Sequence, residues 1–86
     1  MKDGLILYVV GGEKLPEEFD PVLAARELGQ RADRVELVAP EHGFFTVEDA
    51  WHFLLTRGCG RISLMVAQAE TERGFKALGP VLRLYG

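Results

Sequence analysis

The 86-residue sequence predicts one small α/β domain built around a mainly parallel sheet. Two observations predict it: four largely apolar runs, at residues 5–10, 35–39, 62–67 and 81–85, and segments of helical periodicity that separate them. This alternation is typical of βαβ units. No linker, repeat or low-complexity segment interrupts the chain, so a single domain over residues 1–86 is expected.

The charge pattern within the runs predicts the strand order. The first run, Leu5–Val10, is apolar throughout, which suits a strand buried on both faces, and Ile62–Ala67 is similar. Glu36 and Arg83 place charges inside the second and fourth runs, as is common on edge strands. The simplest order is therefore 2-1-3-4, a flavodoxin-like arrangement, although sequential orders remain open.

Capping residues mark the first two helices. Asp20 is a good N-cap and is followed by Pro21 at the first helical position. Thr46 is predicted to cap the second helix, whose apolar stripe includes Trp51 and which Gly58 ends.

A third helix is predicted over Glu70–Leu78, with Gly79 and Pro80 ending it. Gly74 in its middle would cost about 1 kcal/mol relative to alanine. With helices between successive strands, the predicted architecture is a small three-layer α/β/α domain with four strands.

Composition excludes some classes of partner. The 10 basic and 13 acidic residues give a net charge of −3, so direct non-specific binding to nucleic acid is not expected. No apolar stretch reaches the roughly 18 residues of a membrane span, so we expect no membrane partner and a cytoplasmic location. Four strands with three short helices would leave apolar surface exposed, which predicts a homo-oligomer.

The carboxyl ends of the parallel strands are where a ligand or partner crevice is expected. The candidate residues there are Gly11, Gly12, Glu41, His42 and Gln68. The Gly11-Gly12 pair lacks the GxGxxG spacing, which favours a flexible turn over a nucleotide site. His42 could act as an acid, a base or a hydrogen-bond donor in a small enzyme, or could simply be a solvated or capping group. No catalytic set, metal site or cofactor is predicted.

Two further features are candidates for contacts or chemistry. Phe44 and Phe45 are adjacent before the second helix, so one ring is predicted to pack inward and the other to contact a partner subunit or a ligand, or both form a lid over the local core. Cys59 lies between Arg57 and Arg61, which would favour a reactive thiol. Its position before the third strand, at the opposite edge from the crevice, favours a structural thiol instead.

Two stretches resemble the small sulfur-relay proteins of the DsrE/DsrF/DsrH superfamily, especially its DsrH/TusB-like branch. Ala32–Phe45 looks like the second strand of that branch, with Asp33 before the strand and a turn containing Gly43 after it. Met65–Phe75 is similar to a third strand that leads into an acidic, Arg-Gly-hydrophobic helix.

The resemblance implies a compact α/β subunit that assembles with itself or with homologous subunits and helps to pass persulfide sulfur. Sulfur-accepting members of the family carry a cysteine in a loop at the partner-facing edge, and the corresponding loops here have none. The resemblance therefore implies a non-catalytic, oligomer-forming subunit. A small-molecule-binding or regulatory module and a small enzyme using His42 are the alternatives.

Overall fold

The computed structural model of the chain describes residues 2–11, 20–43, 46–70 and 74–84. Within these residues it contains five strands, two α-helices and one turn of 3-10 helix. In chain order they are β1 (Lys2–Val10), α1 (Pro21–Glu27), β2 (Arg34–Val38), the 3-10 helix (Pro40–His42), α2 (Val47–Thr56), β3 (Cys59–Glu70), β4 (Gly74–Ala77) and β5 (Leu82–Leu84). The predicted α/β class is confirmed.

All five described strands belong to one sheet, in the predicted order β2-β1-β3-β4. β1 is central and pairs in parallel with β2 on one side and with β3 on the other. β4 and β5 both pair with the free side of β3, and both are antiparallel to it. The sheet is therefore mixed, and the predicted parallel character applies to β2, β1 and β3. The predicted fourth strand is present as β5, although it is antiparallel to β3, and β4 is an additional strand within the segment predicted to be the third helix.

The predicted third helix over Glu70–Leu78 is wrong. β3 continues to Glu70, and the chain returns as β4, with Glu70 opposite Gly74 and Ala69 opposite Phe75. Gly74 has a φ of +90°, in a region that a right-handed helix does not use. The described residues between β3 and β5 contain β4 and no helix that crosses the sheet, and the final strand β5 runs antiparallel to β3 instead of parallel.

The first two helices begin where capping chemistry predicts. The Asp20 carboxylate accepts two backbone N–H groups of the first turn of α1, at 2.9 and 3.4 Å, and Pro21 is the first helical residue. The Thr46 hydroxyl accepts the backbone N–H of Asp49 at 3.1 Å and caps α2. Helix α2 ends just before Gly58, also as predicted.

Each face of the sheet packs against one helix, which confirms the three-layer architecture. Helix α1 contributes Ala24 and Ala25 to the core on one face, and α2 contributes Ala50 and Leu54 to the core on the other. Strand β1 supplies alternate residues to both cores, as its fully apolar sequence predicts: Leu5, Leu7 and Val9 face α1, whereas Ile6 faces α2.

Candidate functional site

The structure brings two of the predicted crevice residues, Gly11 and Gln68, together at the carboxyl edge of the sheet. Val10 pairs with Gln68, and Gly11 follows with a φ of +73°, which favours glycine. A Cβ atom added to Gly11 would lie 3.6 Å from Cγ of Gln68 and 3.9 Å from its Nε2. The Gln68 side chain therefore lies against Gly11, the residue that follows β1. Gly12 lies outside the described residues.

The other two crevice residues, Glu41 and His42, lie in the 3-10 helix that follows β2. This helix contacts β1, so it belongs to the same edge of the sheet. Glu41 is exposed, and only the backbone of His42 is described. Within the described residues, no hydrogen bond or ion pair joins Glu41 to Gln68. The described crevice residues thus form a shallow polar surface at the carboxyl edge of the sheet.

Cys59 lies at the opposite, amino edge, as its sequence position predicts, because it pairs with Lys2 at the start of β1. Gln68 pairs with Val10, eight residues further along that strand, so the two edges are about 26 Å apart at roughly 3.3 Å per residue. The thiol is only 2% exposed. It packs so closely on Gly4 that a Cβ atom there would lie 3.2 Å from Sγ.

The predicted aromatic contact at Phe44 and Phe45 falls outside the described residues and stays a prediction. The described residues nevertheless include exposed apolar side chains elsewhere. Four large ones stand out: Leu23 (54% exposed), Leu55 (38%), Leu78 (50%) and Leu82 (54%). Two of them lie in or beside the segment for which a third helix was expected, so their exposure could not be predicted from the sequence.

Leu78 and Leu82 belong to an apolar area on the α2 side of the sheet. Leu82 lies opposite Leu64, and the backbone N–H of Leu78 donates to the carbonyl of Val66 at 2.9 Å. Leu64 and Leu84 pack against the core beneath α2, and this contact identifies the face as the α2 side of the sheet. We call Leu64, Val66, Leu78, Leu82 and Leu84 the β3–β5 patch. Helix α2 packs over β1, β2 and β3, and leaves the outer part of this patch exposed.

One flank of α2 borders the patch. On the other flank, Arg57 stacks over the ring of Phe53 at 3.4 Å from its centroid, and lies near Glu36 of β2. Trp51 and Leu55 lie one helical turn apart on the opposite flank of α2. This flank is turned away from β2 and towards β3 and the patch. Partial burial of Glu36 raises the pKa of its carboxyl group, while Arg57, and then Arg34, oppose that shift.

Trp51, predicted in the core stripe of α2, packs against the core as a half-buried residue. Its Nε1 atom is buried and has no hydrogen-bond partner among the described residues. Buried N–H groups are nearly always paired, so leaving this one unpaired costs a small amount of folding free energy at a position next to the patch.

Comparison of the chain with family models, curated proteins and solved structures gives no match. In the described ranges, no group of three or more His, Cys, Asp or Glu side chains is placed to hold a metal ion. The helices of the same ranges are each too short or too polar to cross a membrane.

Proposed function

We propose that this chain is a small, non-catalytic, oligomer-forming α/β subunit of the sulfur-relay type that its strand-and-turn patterns resemble. The observation that carries the proposal is the β3–β5 patch, where Leu78 and Leu82 are half exposed beside partly buried Leu64 and Leu84. The proposed partner is a second copy of this chain or a homologous subunit, and the proposed location is the cytoplasm.

The energetics of the patch support assembly. Full burial of a leucine side chain is worth about 1.5–3 kcal/mol, so two half-exposed leucines leave a substantial part of that free energy unused in the monomer. The same patch on a second copy could meet it across a two-fold axis, which is the commonest symmetry of soluble oligomers. The sequence predicted such surplus surface, and the replacement of the third helix by β4 enlarges it.

Cys59 supports the non-catalytic part of the proposal. A thiol that accepts persulfide sulfur must be accessible as a thiolate, whereas Cys59 is enclosed by Gly4 and Leu54. It also lies about 26 Å from the carboxyl edge, where a partner's cysteine would be expected to dock. The proposed role is therefore to build and shape the assembly, with Gly11 and Gln68 presented at its carboxyl edge.

Sedimentation analysis of the purified chain tests the assembly. At tens of micromolar we expect a dimer or a larger oligomer for the native sequence and a shift towards monomer for Leu82→Ser. Leu23→Ser is the matched control, because Leu23 is equally exposed but lies on α1, on the other side of the sheet. A monomeric native protein, or equal effects of the two substitutions, would contradict the proposal.

Reaction with a small persulfide donor, followed by intact-mass measurement, tests the absence of sulfur transfer. Transfer of one sulfur atom to Cys59 would add about 32 Da. We expect no adduct on the native protein and an adduct once urea exposes the thiol. An adduct on the native protein that forms as fast as on the unfolded one would show that Cys59 carries sulfur, and the subunit would then be an active relay member.

A small-molecule-binding or regulatory module is the second candidate. The closeness of Gly11 to Gln68 favours it, because a glycine without a side chain next to an amide group leaves room for a ligand that the amide can hydrogen-bond. A small enzyme using His42 at the same edge is a variant of this candidate. Chemical-shift mapping with a metabolite mixture would support either one if the perturbed residues cluster at Gly11, Glu41 and Gln68.

A further inference from the structure

The amino edge of the sheet, opposite the predicted crevice, contains a pocket that the proposed assembly does not use. It has a volume of about 350 Å³ and opens on the α1 side of the sheet. The polar and charged residues that line it are Asp3, Gln30, Arg31, Arg61, Ser63 and Arg83.

A β-bulge at Gly60 turns Arg61 into this pocket. Lys2 pairs with Cys59 and Asp3 pairs with Arg61, which leaves Gly60 as an extra residue in β3. As a result Cys59 and Ile62, three residues apart, both pack beneath α2, which a regular strand does not allow. Without the bulge, Arg61 would share the face of Cys59 and enter the apolar core under α2.

Two other arginines reach the pocket from separate parts of the chain. Arg83 of β5 lies opposite Ser63, which in turn lies opposite Leu5, so both side chains are on the α1 side of the sheet. Arg31 comes from the segment between α1 and β2. Segments that are distant in sequence thus converge on one small volume.

The pocket is cationic in a chain whose overall charge is negative. Three arginines and one aspartate line it, a difference of +2, whereas the whole chain has a net charge of −3. Asp3 is already engaged, since its Oδ1 lies 2.7 Å from Nε of Arg61. Arg31 and Arg83 have no ion pair within the described part of the chain. An anion in the pocket would be attracted by the guanidinium groups that line it.

We infer that this pocket binds the phosphate group of a phosphomonoester. A phosphomonoester carries a charge of about −1.5 to −2 near neutral pH, which matches the charge of the lining, and guanidinium groups bind its oxygens in bidentate fashion. The Ser63 hydroxyl and the Gln30 amide supply further donors.

The surface beside the pocket indicates where the rest of the ligand lies. A groove of about 660 Å³ runs along α1 and shares Gln30, Arg31 and Ala32 with the pocket. Val22, Ala25 and Val35 give the groove apolar surface, and Arg26, Gln30 and Arg31 give it polar surface. The ligand class is therefore an organic phosphate whose apolar or aromatic body lies against α1, and not inorganic phosphate alone.

Calorimetric titration of the full chain with inorganic phosphate and with phenyl phosphate tests the inference. We expect phenyl phosphate to bind more tightly than inorganic phosphate, because its ring reaches the groove. Arg83→Gln and Arg31→Gln should each weaken binding of phenyl phosphate about tenfold, as expected for loss of one charge-assisted contact. The matched control is Arg34→Gln, which removes the same charge from the same edge but outside the pocket, and we expect less than about a twofold change from it.

Two results would overturn the inference. One is the absence of heat or chemical-shift changes with both ligands at about 20 mM, a concentration well above the weakest specific dissociation constants. The other is equal weakening by Arg34→Gln and Arg83→Gln, which would mean that only the general charge of the edge attracts the anion. Neither result bears on assembly through the β3–β5 patch, which lies on the other face of the sheet.

Discussion

Asp33 and Asp3 are joined by two hydrogen bonds of 2.8 Å: the backbone N–H of Asp33 donates to the carbonyl of Asp3, and the Asp33 carboxylate accepts the backbone N–H of Asp3. The pair connects the residue before β2 to the beginning of β1. It therefore sets the register of the parallel pairing from its first residues.

Replacing Asp33 by alanine should lower the free energy of unfolding by about 0.5–1.5 kcal/mol, because one hydrogen bond is lost at an exposed position. Asp33→Asn is the control, since its amide oxygen can still accept the N–H of Asp3. Urea denaturation with an unchanged m-value would measure the difference. Equal losses for both variants would mean that the charge matters and the acceptor does not.

Glu36 should make stability depend on pH. Burial raises the pKa of its carboxyl group in the folded chain above the ordinary value of 4.5, so the folded state binds more protons than the unfolded state between the two pKa values. The stability that the Glu36 carboxyl group contributes is therefore present below pH 4.5 and is lost as the pH rises through the pKa of this group in the folded chain. Glu36→Gln should remove that pH dependence and be at least as stable as the native chain at pH 7.

Melting temperatures of the two proteins between about pH 4 and pH 8, at constant ionic strength, would check this expectation. A variant that is less stable at pH 7 would show that attraction by Arg57 and Arg34 outweighs the cost of burying the carboxylate.

Two substitutions of Trp51 should separate the contribution of its ring packing to stability from that of its indole N–H. Trp51→Ala removes a half-buried aromatic ring from the core beneath α2 and should cost about 3 kcal/mol. Trp51→Phe keeps much of the ring and removes an N–H that has no described partner, so it should cost less than about 1 kcal/mol. Chemical denaturation gives both values. A loss for phenylalanine as large as that for alanine would indicate that Nε1 does have a partner.

Cys59→Ser is expected to destabilise the fold. The thiol is enclosed by Gly4 and Leu54, and a hydroxyl placed there without a partner should cost about 1–3 kcal/mol. Cys59→Ala is the matched variant, because it leaves a small cavity but no unpaired polar group. Thermal melts should rank the native chain above alanine and alanine above serine, and a more stable serine variant would contradict this reasoning.

The sequence was most informative where structure depends on local chemistry. The caps at Asp20 and Thr46 act within a few residues, and the uniform apolar run of β1 reflects burial on both faces, so these elements and the strand order were predictable. Gly11 lies beside Gln68 at the carboxyl edge, and a ligand or partner crevice there stays a prediction. The aromatic pair at Phe44 and Phe45 remains a prediction.

Features that depend on tertiary pairing were not predictable. Polar residues around position 72 suit a helix, but pairing with β3 and the positive φ of Gly74 produce a hairpin. The β3–β5 patch follows from that hairpin. The arginine pocket follows from the bulge at Gly60, and the sequence signal for a bulge, an isolated glycine within a strand, is too common to identify one.

The central position of β1 has a consequence for how the chain folds during synthesis. β1 pairs with β3 from Lys2 opposite Cys59 to Val10 opposite Gln68, so the middle of the sheet joins the first residues of the chain to residues made much later. Such distant pairings slow folding, because the entropic cost of closing a long loop comes before the stabilising contacts form. An emerging chain that ends before β3 would hold β1 with one open edge and two incomplete cores. The domain should therefore fold only after Gln68 has left the ribosome, and until then its most apolar strand is the segment that most needs protection from aggregation.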